Sequence, residues 1–240
     1  MSKKLKGKWP LGKSLGVCIH DNVLPPKLCR AIIKFFEDHP HLQYEGRTFG
    51  GVQPETKLTT DAFITAHHES IQNEEEREIL RKFDEAIYEP YKVVLADYIA
   101  QYETLTREWV DREDTSYQYQ RYAQGKGFYK SHIDGAPYAG IGGNTRVLGS
   151  VMYLNTVKKG GGTRFDNFDY TCDAVQGRIL TFPTTFLHVH GGLVPRSSDK
   201  SIISTFVCSP PSPIDTTGYD FSNPMEVVDT GAELPPSEFD

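Results

Sequence analysis

His132 and Asp134 stand two residues apart in "YQYQRYAQGKGFYKSHIDGAPYAGIGGNTRVLGSVMYLN". On a strand, an imidazole and a carboxylate at that spacing project from one face and can reach a single ion. The triplet alone says little: 8 His and 32 acidic residues in 240 positions give about one H-x-acid triplet by chance. His67-His68-Glu69 is such a decoy, at a strand-to-helix junction with no later histidine placed to complete it, and it reads as solvated surface. A divalent ion needs a third ligand, and "LHVHGGLVPRSSDK" offers His188 and His190 on one face of a strand or turn. Two imidazoles and one carboxylate on one side of an ion leave three adjacent positions free, the arrangement of non-haem Fe(II) oxygenases. A closed structural zinc site would take a fourth protein ligand. The hydrolytic zinc pattern H-E-x-x-H does not occur in the chain.

These residues need a scaffold, and the chain changes character twice on the way to supplying one. "SLGVCIHDNVL" reads as an opening strand, and "PPKLCRAIIKFFEDHP" as a helix with Leu28, Ile32, Ile33, Phe35 and Phe36 on a helical repeat between prolines. The stretch from Ser70 to about Glu103 is helical: acids crowd its first turn, where the helix dipole favours them, and Ile79, Phe83, Ile87 and Tyr91 recur every four residues. Pro90 is expected to kink this helix or divide it in two. Beyond it come eight strand-like pieces with Gly-rich turns between them: "SYQYQRYA", "FYKSHID", "RVLGSVMYLN", "GTRFDNF", "YTCDAV", "GRILTFP", "LHVHGG" and "SIISTFVC". Helices first and short strands after predict an α+β chain with a jelly-roll core and the helices packed on its outer sheet. The expected division is a basic extension over 1–13, one domain over 14–208 (helical support 24–105, jelly-roll core 115–208) and a Pro/acid-rich tail over 209–240.

Composition narrows the function classes. The 38% hydrophobic content, with 13 Tyr and 13 Phe, is ample for a core and unlike that of a disordered chain. A formal charge of -6 argues against nucleic acid as the main partner, since a phosphate backbone demands clustered cations. The one basic cluster, "MSKKLKGK", reads as a solvated end. No apolar run approaches the roughly 20 residues that span a bilayer, and no h-region follows the N-terminal charges, so neither membrane insertion nor a secretory signal is expected. Cys18, Cys29, Cys172 and Cys208 are scattered with no C-x-x-C pairing, which suits reduced thiols in a cytoplasmic protein.

The succession "RYAQGKGFYKSHIDG", "RVLGSVMYLN", "GGGTRF", "GRILTFP" and "HGGLVPRSSDK" resembles, in order, the Fe(II)/2-oxoglutarate-dependent dioxygenase superfamily on its prolyl 4-hydroxylase-like branch. The resemblance is strong from Tyr117 to about Cys208, with weaker echoes in "VLPPKLCRAIIKFFE" and "TKLTTD". It implies a double-stranded β-helix core and a catalytic Fe(II) held by His132, Asp134 and one later histidine. The family sets a cation ten residues after that histidine and a small residue two after it. His190, with Gly192 and Lys200, fits; His188 becomes a buried polar neighbour. Lys200 is then the partner of the distal carboxylate of 2-oxoglutarate, with Tyr122, Tyr129, Tyr153 and Thr163 lining the cosubstrate pocket. A phenol donates to a carboxylate without adding charge. Arg146 falls at a position that touches substrate or braces the site. Asp134, where halogenating relatives carry a small residue, implies hydroxylation. The implied reaction consumes O2, decarboxylates 2-oxoglutarate to succinate and CO2, and hydroxylates a C–H bond, with ascorbate as a supporting reductant. The implied substrate is a prolyl residue in a protein or peptide. A free amino acid or other small molecule is the alternative, as is a jelly roll that binds a metal and a small acid without turnover.

Overall fold

The structure is a computed structural model and describes residues 5–48, 50–65, 71–102, 116–135 and 145–209. The decoy His67-His68-Glu69, the stretch 136–144 and the tail from 210 onward lie outside the described residues.

Among the described residues, two α-helices lie in the first half of the chain. Helix α1 (Pro26–Asp38) starts with proline in its first turn, where the missing N–H costs nothing, and buries Cys29, Ile32, Phe35 and Phe36. Helix α2 (Glu74–Ile99) is capped by Asn73, whose side chain accepts from the amides of Glu75 and Glu76. It runs through Pro90 as one helix, against the expected division. Ile87, Tyr91 and Val94 are buried on both sides of the proline, so packing offsets the lost backbone hydrogen bond.

Among the described residues there are fourteen short strands, one before α1, five between the helices and eight after α2: β1 (Cys18–His20), β2 (Tyr44–Glu45), β3 (Arg47–Thr48), β4 (Gly51–Val52), β5 (Lys57–Leu58), β6 (Thr60–Phe63), β7 (Gln118–Tyr122), β8 (Phe128–His132), β9 (Thr145–Tyr153), β10 (Thr163–Phe165), β11 (Tyr170–Cys172), β12 (Ile179–Pro183), β13 (His190–Gly192) and β14 (Lys200–Ser209). The last eight are the eight expected from the sequence. A seven-stranded sheet runs β1-β12-β9-β14-β7-β6-β2, faced by a five-stranded sheet β11-β10-β13-β8-β5, while β3 and β4 form a separate hairpin. All pairings are antiparallel. This is the double-stranded β-helix.

Period-2 alternation sorts the large sheet into two faces. Met152, Ile179, Ile203, Tyr117 and Tyr119 face outward and pack with α1 and α2 in one core. Val151, Tyr153, Leu180, Phe182 and Ile202 face inward and pack with Phe165 and Cys172 of the opposing sheet in a second core. The chain before β1 also packs on the domain. Lys8 bridges to Ile19, the Gly7 amide donates to Asp97, and Trp9 lies against Tyr98 and Tyr102. The basic cluster is therefore not a free end from residue 5 onward.

Candidate metal centre

Antiparallel pairing of β13 with β8 places His190 directly opposite His132. The register shifts between His190 and Gly192, an irregularity of the kind that re-aims side chains beside functional sites. Asp134 lies two residues past the end of β8, where the Gly135 amide donates to the carbonyl of Thr184 and anchors the bend. Gly149 leaves room for the carboxylate, since a Cβ there would stand 3.1 Å from Asp134 Oδ2 and from the Phe182 ring. One ligand atom each from His132, Asp134 and His190 lies within 4.8 Å of the others, the single such group among the described residues.

Hydrogen bonds fix which nitrogen faces inward. His132 Nδ1 donates to the carbonyl of Lys130 at 2.8 Å, and His190 Nδ1 donates to that of His188 at 2.9 Å. With the protons held there, each neutral ring presents its Nε2 lone pair to Asp134, at 3.4 Å from Oδ1 for His132 and 3.3 Å from Oδ2 for His190. Two lone pairs and a carboxylate aimed at one point repel one another unless a proton or cation lies between them. A divalent ion satisfies all three at once, so the donor set fits a metal. Without an ion, protons on the imidazoles take that place: burial alone would raise the Asp134 pKa, but the charge of protonated His190 and hydrogen bonds from both rings hold it well below the usual carboxylate range, and Asp134 in turn raises the pKa of His190. The Tyr129 ring stacks on His132 with centroids 3.7 Å apart and braces it.

His188 is a different kind of histidine. Its Nε2 donates to the carbonyl of Leu15 at 2.7 Å, and its Nδ1 meets the Thr185 hydroxyl at 2.9 Å. Both nitrogens are occupied, and His188 is not part of the group that Asp134 forms with His132 and His190. Burial lowers its pKa and keeps it neutral.

The triad lines a cavity of about 680 Å³ between the sheets, walled by alternate residues of β14: Lys200, Ile202, Ser204, Phe206 and Cys208. Lys200, at one end of that row, is 1% exposed. Its Nζ lies 3.6 Å from the centroid of the Tyr122 ring, and among the described residues no carboxylate pairs with it. Burial, the one cause acting on it, pushes its pKa down to about 7. An ammonium group kept dry without a counter-charge is costly until an anion arrives. Gly192 keeps the approach open, because a Cβ there would lie 2.9 Å from Tyr122 and 3.3 Å from Lys200 Nζ.

Tyr122, Tyr129, Thr163 and Arg146 line the cavity as well, and burial raises the pKa of both tyrosines, leaving them protonated donors. Arg146 is exposed, with its guanidinium 3.8 Å from the centroid of Phe206. Tyr153 is not among the lining residues. It is fully buried and its hydroxyl donates to Thr163 Oγ1 at 2.7 Å, so it stands behind the wall. Thr163 accepts that bond and keeps its own O–H free to donate into the cavity. Sequence reasoning did not single out Gln118, Gln120 and Ser204. Gln120 Nε2 donates to Gln118 Oε1 and to Ser204 Oγ, while Tyr122 donates to Gln120 Oε1. The alternate glutamines of "YQYQRY" were the available signal, since period 2 puts them on the face of Tyr122.

Residues 117–208 match the family described as the 2OG-Fe(II) oxygenase superfamily. A comparison with curated proteins found no match. Among solved structures, the viral collagen prolyl hydroxylase vCPH from Paramecium Bursaria Chlorella virus-1, in its 2OG complex, is similar at 16% identity and TM-score 0.57, covering 81% of this chain and 96% of that one. A Pseudomonas putida prolyl-4-hydroxylase is similar at 18% identity and TM-score 0.57, covering 82% and 94%. A Trichoplax adhaerens prolyl hydroxylase, in complex with a hypoxia inducible factor oxygen degradation domain peptide fragment, is similar at 16% identity and TM-score 0.60, covering 81% and 84%. At these identities the likeness is one of fold.

Proposed function

We propose that this chain is a 2-oxoglutarate-dependent dioxygenase of the 2OG-Fe(II) oxygenase superfamily, on its prolyl hydroxylase-like branch, and that it hydroxylates a prolyl residue in a protein or peptide. The observation that carries this reading is one cavity lined by both a one-sided His-Asp-His set and a buried lysine that pairs with no carboxylate among the described residues. The prolyl substrate rests on the three prolyl hydroxylases that share the fold.

In this reading His132, Asp134 and His190 hold Fe(II) from one side. Bound there, the iron supplies the activation of O2 that no side chain can provide. The protein's share is orientation and exclusion of water. Lys200 takes the distal carboxylate of 2-oxoglutarate and gains the charge partner it lacks. Thr163 donates its hydroxyl hydrogen to the same carboxylate, with Tyr153 as the positioning residue that turns it. Tyr122 closes the pocket under the ammonium group, and Arg146 touches substrate at the exposed edge. The products are succinate, CO2 and the hydroxylated substrate, with ascorbate keeping the iron reduced. The four cysteines are free and buried, which supports placement in the reducing cytoplasm. Among the described residues no helix is long and apolar enough to cross a membrane.

The test is an anaerobic visible spectrum, in which a weak band is expected only when Fe(II) and 2-oxoglutarate are both present, followed by succinate formation from proline-containing peptides in air. His190→Ala is expected to abolish iron binding and turnover, whereas His188→Ala keeps measurable activity. No succinate with Fe(II), ascorbate and 2-oxoglutarate, with or without peptide, would leave a binding module in place of an enzyme.

A further inference from the structure

A second cavity, of about 780 Å³, opens beside the first and shares Arg47, Phe63 and Gln118 with it as a common wall. Its own lining includes His41, Leu42, Tyr44, Ile71, Gln72 and Glu76. Aromatic faces and amides alternate along the join. Tyr44 and Phe63 lie with ring centroids 5.5 Å apart, and Gln118 Nε2 donates to the Tyr44 hydroxyl at 3.1 Å. Nothing in the handling of iron or 2-oxoglutarate uses this space. Each cavity alone is of a size that holds a drug-sized ligand. A free amino acid lying at the triad would end inside the first.

Most charged groups on the two linings have partners. Lys57 is paired with Asp61 at 2.6 Å, and Glu76 accepts a hydrogen bond from His41 at 3.0 Å. Asp134 faces the imidazoles, and Lys200 is taken by the cosubstrate. Arg47 and Arg146 are left, both exposed, and among the described residues neither has a carboxylate within ion-pair distance. Arg47 stands on the wall between the cavities, its guanidinium 5.7 Å from the Tyr44 ring centroid.

We infer that the substrate is an extended polypeptide, acidic beside the reacting residue, that runs from the triad across Arg47 into the second cavity. The inference rests on the proposed hydroxylase reading and adds that the second cavity is a subsite for flanking residues. Backbone amides of such a segment would meet Gln118 and Gln72, and a carboxylate would meet Arg47.

The test reads binding without turnover, so failure of the iron chemistry would leave its result standing. Fluorescence anisotropy is measured with labelled peptides of about 15 residues carrying one central proline, flanked by glutamates or by lysines, with a five-residue Glu-flanked peptide as the short control. The expected result is that the long Glu-flanked peptide binds at least about tenfold more tightly than its lysine counterpart, and that Arg47→Glu inverts the order. Gln72→Trp, at an exposed position where folding is not at stake, is expected to weaken the long acidic peptide about tenfold and leave the short one unchanged. Equal affinity for both charges, an order unmoved by Arg47→Glu, no length-dependent loss in Gln72→Trp, or no binding of the acidic peptide at millimolar concentration would each overturn the inference.

Discussion

Two lysines are buried in the walls of one cavity, each near an aromatic ring, and they have been solved in opposite ways. Lys57 Nζ lies 5.2 Å from the centroid of Tyr129 and meets Asp61 Oδ2 at 2.6 Å, with Thr59 donating to the other oxygen. Lys200 Nζ lies closer to its ring, Tyr122, and has no carboxylate among the described residues. The first pair is internal: Lys57 sits on the five-stranded sheet and Asp61 on the seven-stranded one, so the contact joins the two sheets. The second charge is left for something that arrives. A buried cation with its acid supplied is architecture. A buried cation without one is a candidate binding site, and in the proposed reading it selects an anion.

The largest effect expected of breaking this contrast is on stability at the first lysine. Asp61→Ala would strand the Lys57 charge and cost about 3–5 kcal/mol, read as a lower urea midpoint. Lys200→Met removes a charge that is already stranded, and is expected to leave stability unchanged or raise it by about 1–4 kcal/mol. Comparable losses in both variants would erase the distinction.

Next in size is the cosubstrate response. Lys200→Met should raise the KM for 2-oxoglutarate by about 100-fold while the iron requirement changes little, the loss of a buried charge pair being worth about 3 kcal/mol. Equal losses for iron and cosubstrate would remove Lys200 from its assigned role.

A titration sharpens the comparison further. With its pKa near 7 in the free protein, Lys200 is charged below that pH. A bound carboxylate favours the charged form, so binding above pH 7 takes up a proton. Affinity for 2-oxoglutarate is expected to be flat below about pH 7 and to fall by up to about tenfold per pH unit above it, and the slope should vanish in Lys200→Met. Folding has the opposite sign. The folded pKa lies below the unfolded 10.5, so the burial penalty is fully present below about 7 and is relieved as pH rises from there. Calorimetry across pH 6–9 would measure both slopes.

The smallest effect is expected at Gly192. A methyl group there meets Tyr122 and Lys200 at 2.9–3.3 Å. Gly192→Ala should weaken 2-oxoglutarate binding several-fold, by about 1 kcal/mol, without touching iron affinity.

Much of this site was legible because its residue types are rare and their order is fixed. His132, Asp134, His190 and Lys200 needed only strand alternation and a resemblance of spacing to be nominated. What remained illegible depended on which side of a wall a side chain stands. Tyr153 shares its position type with Tyr122, yet one hydroxyl stands behind Thr163 and the other ring forms the pocket floor. The Lys57–Asp61 contact was hidden in "TKLTTD" because it bridges two sheets rather than running along one strand. Pro90 reads as a break in any isolated helix, and only the buried Ile87, Tyr91 and Val94 on its flanks show why this one continues.

His132 and His190 are each gripped by the backbone two residues upstream, at the carbonyls of Lys130 and His188. Each ring is therefore oriented by a local side-chain-to-backbone hydrogen bond. Metal capture then spends almost no rotamer entropy, and amide exchange along β8 and β13 should be nearly indifferent to loading with iron.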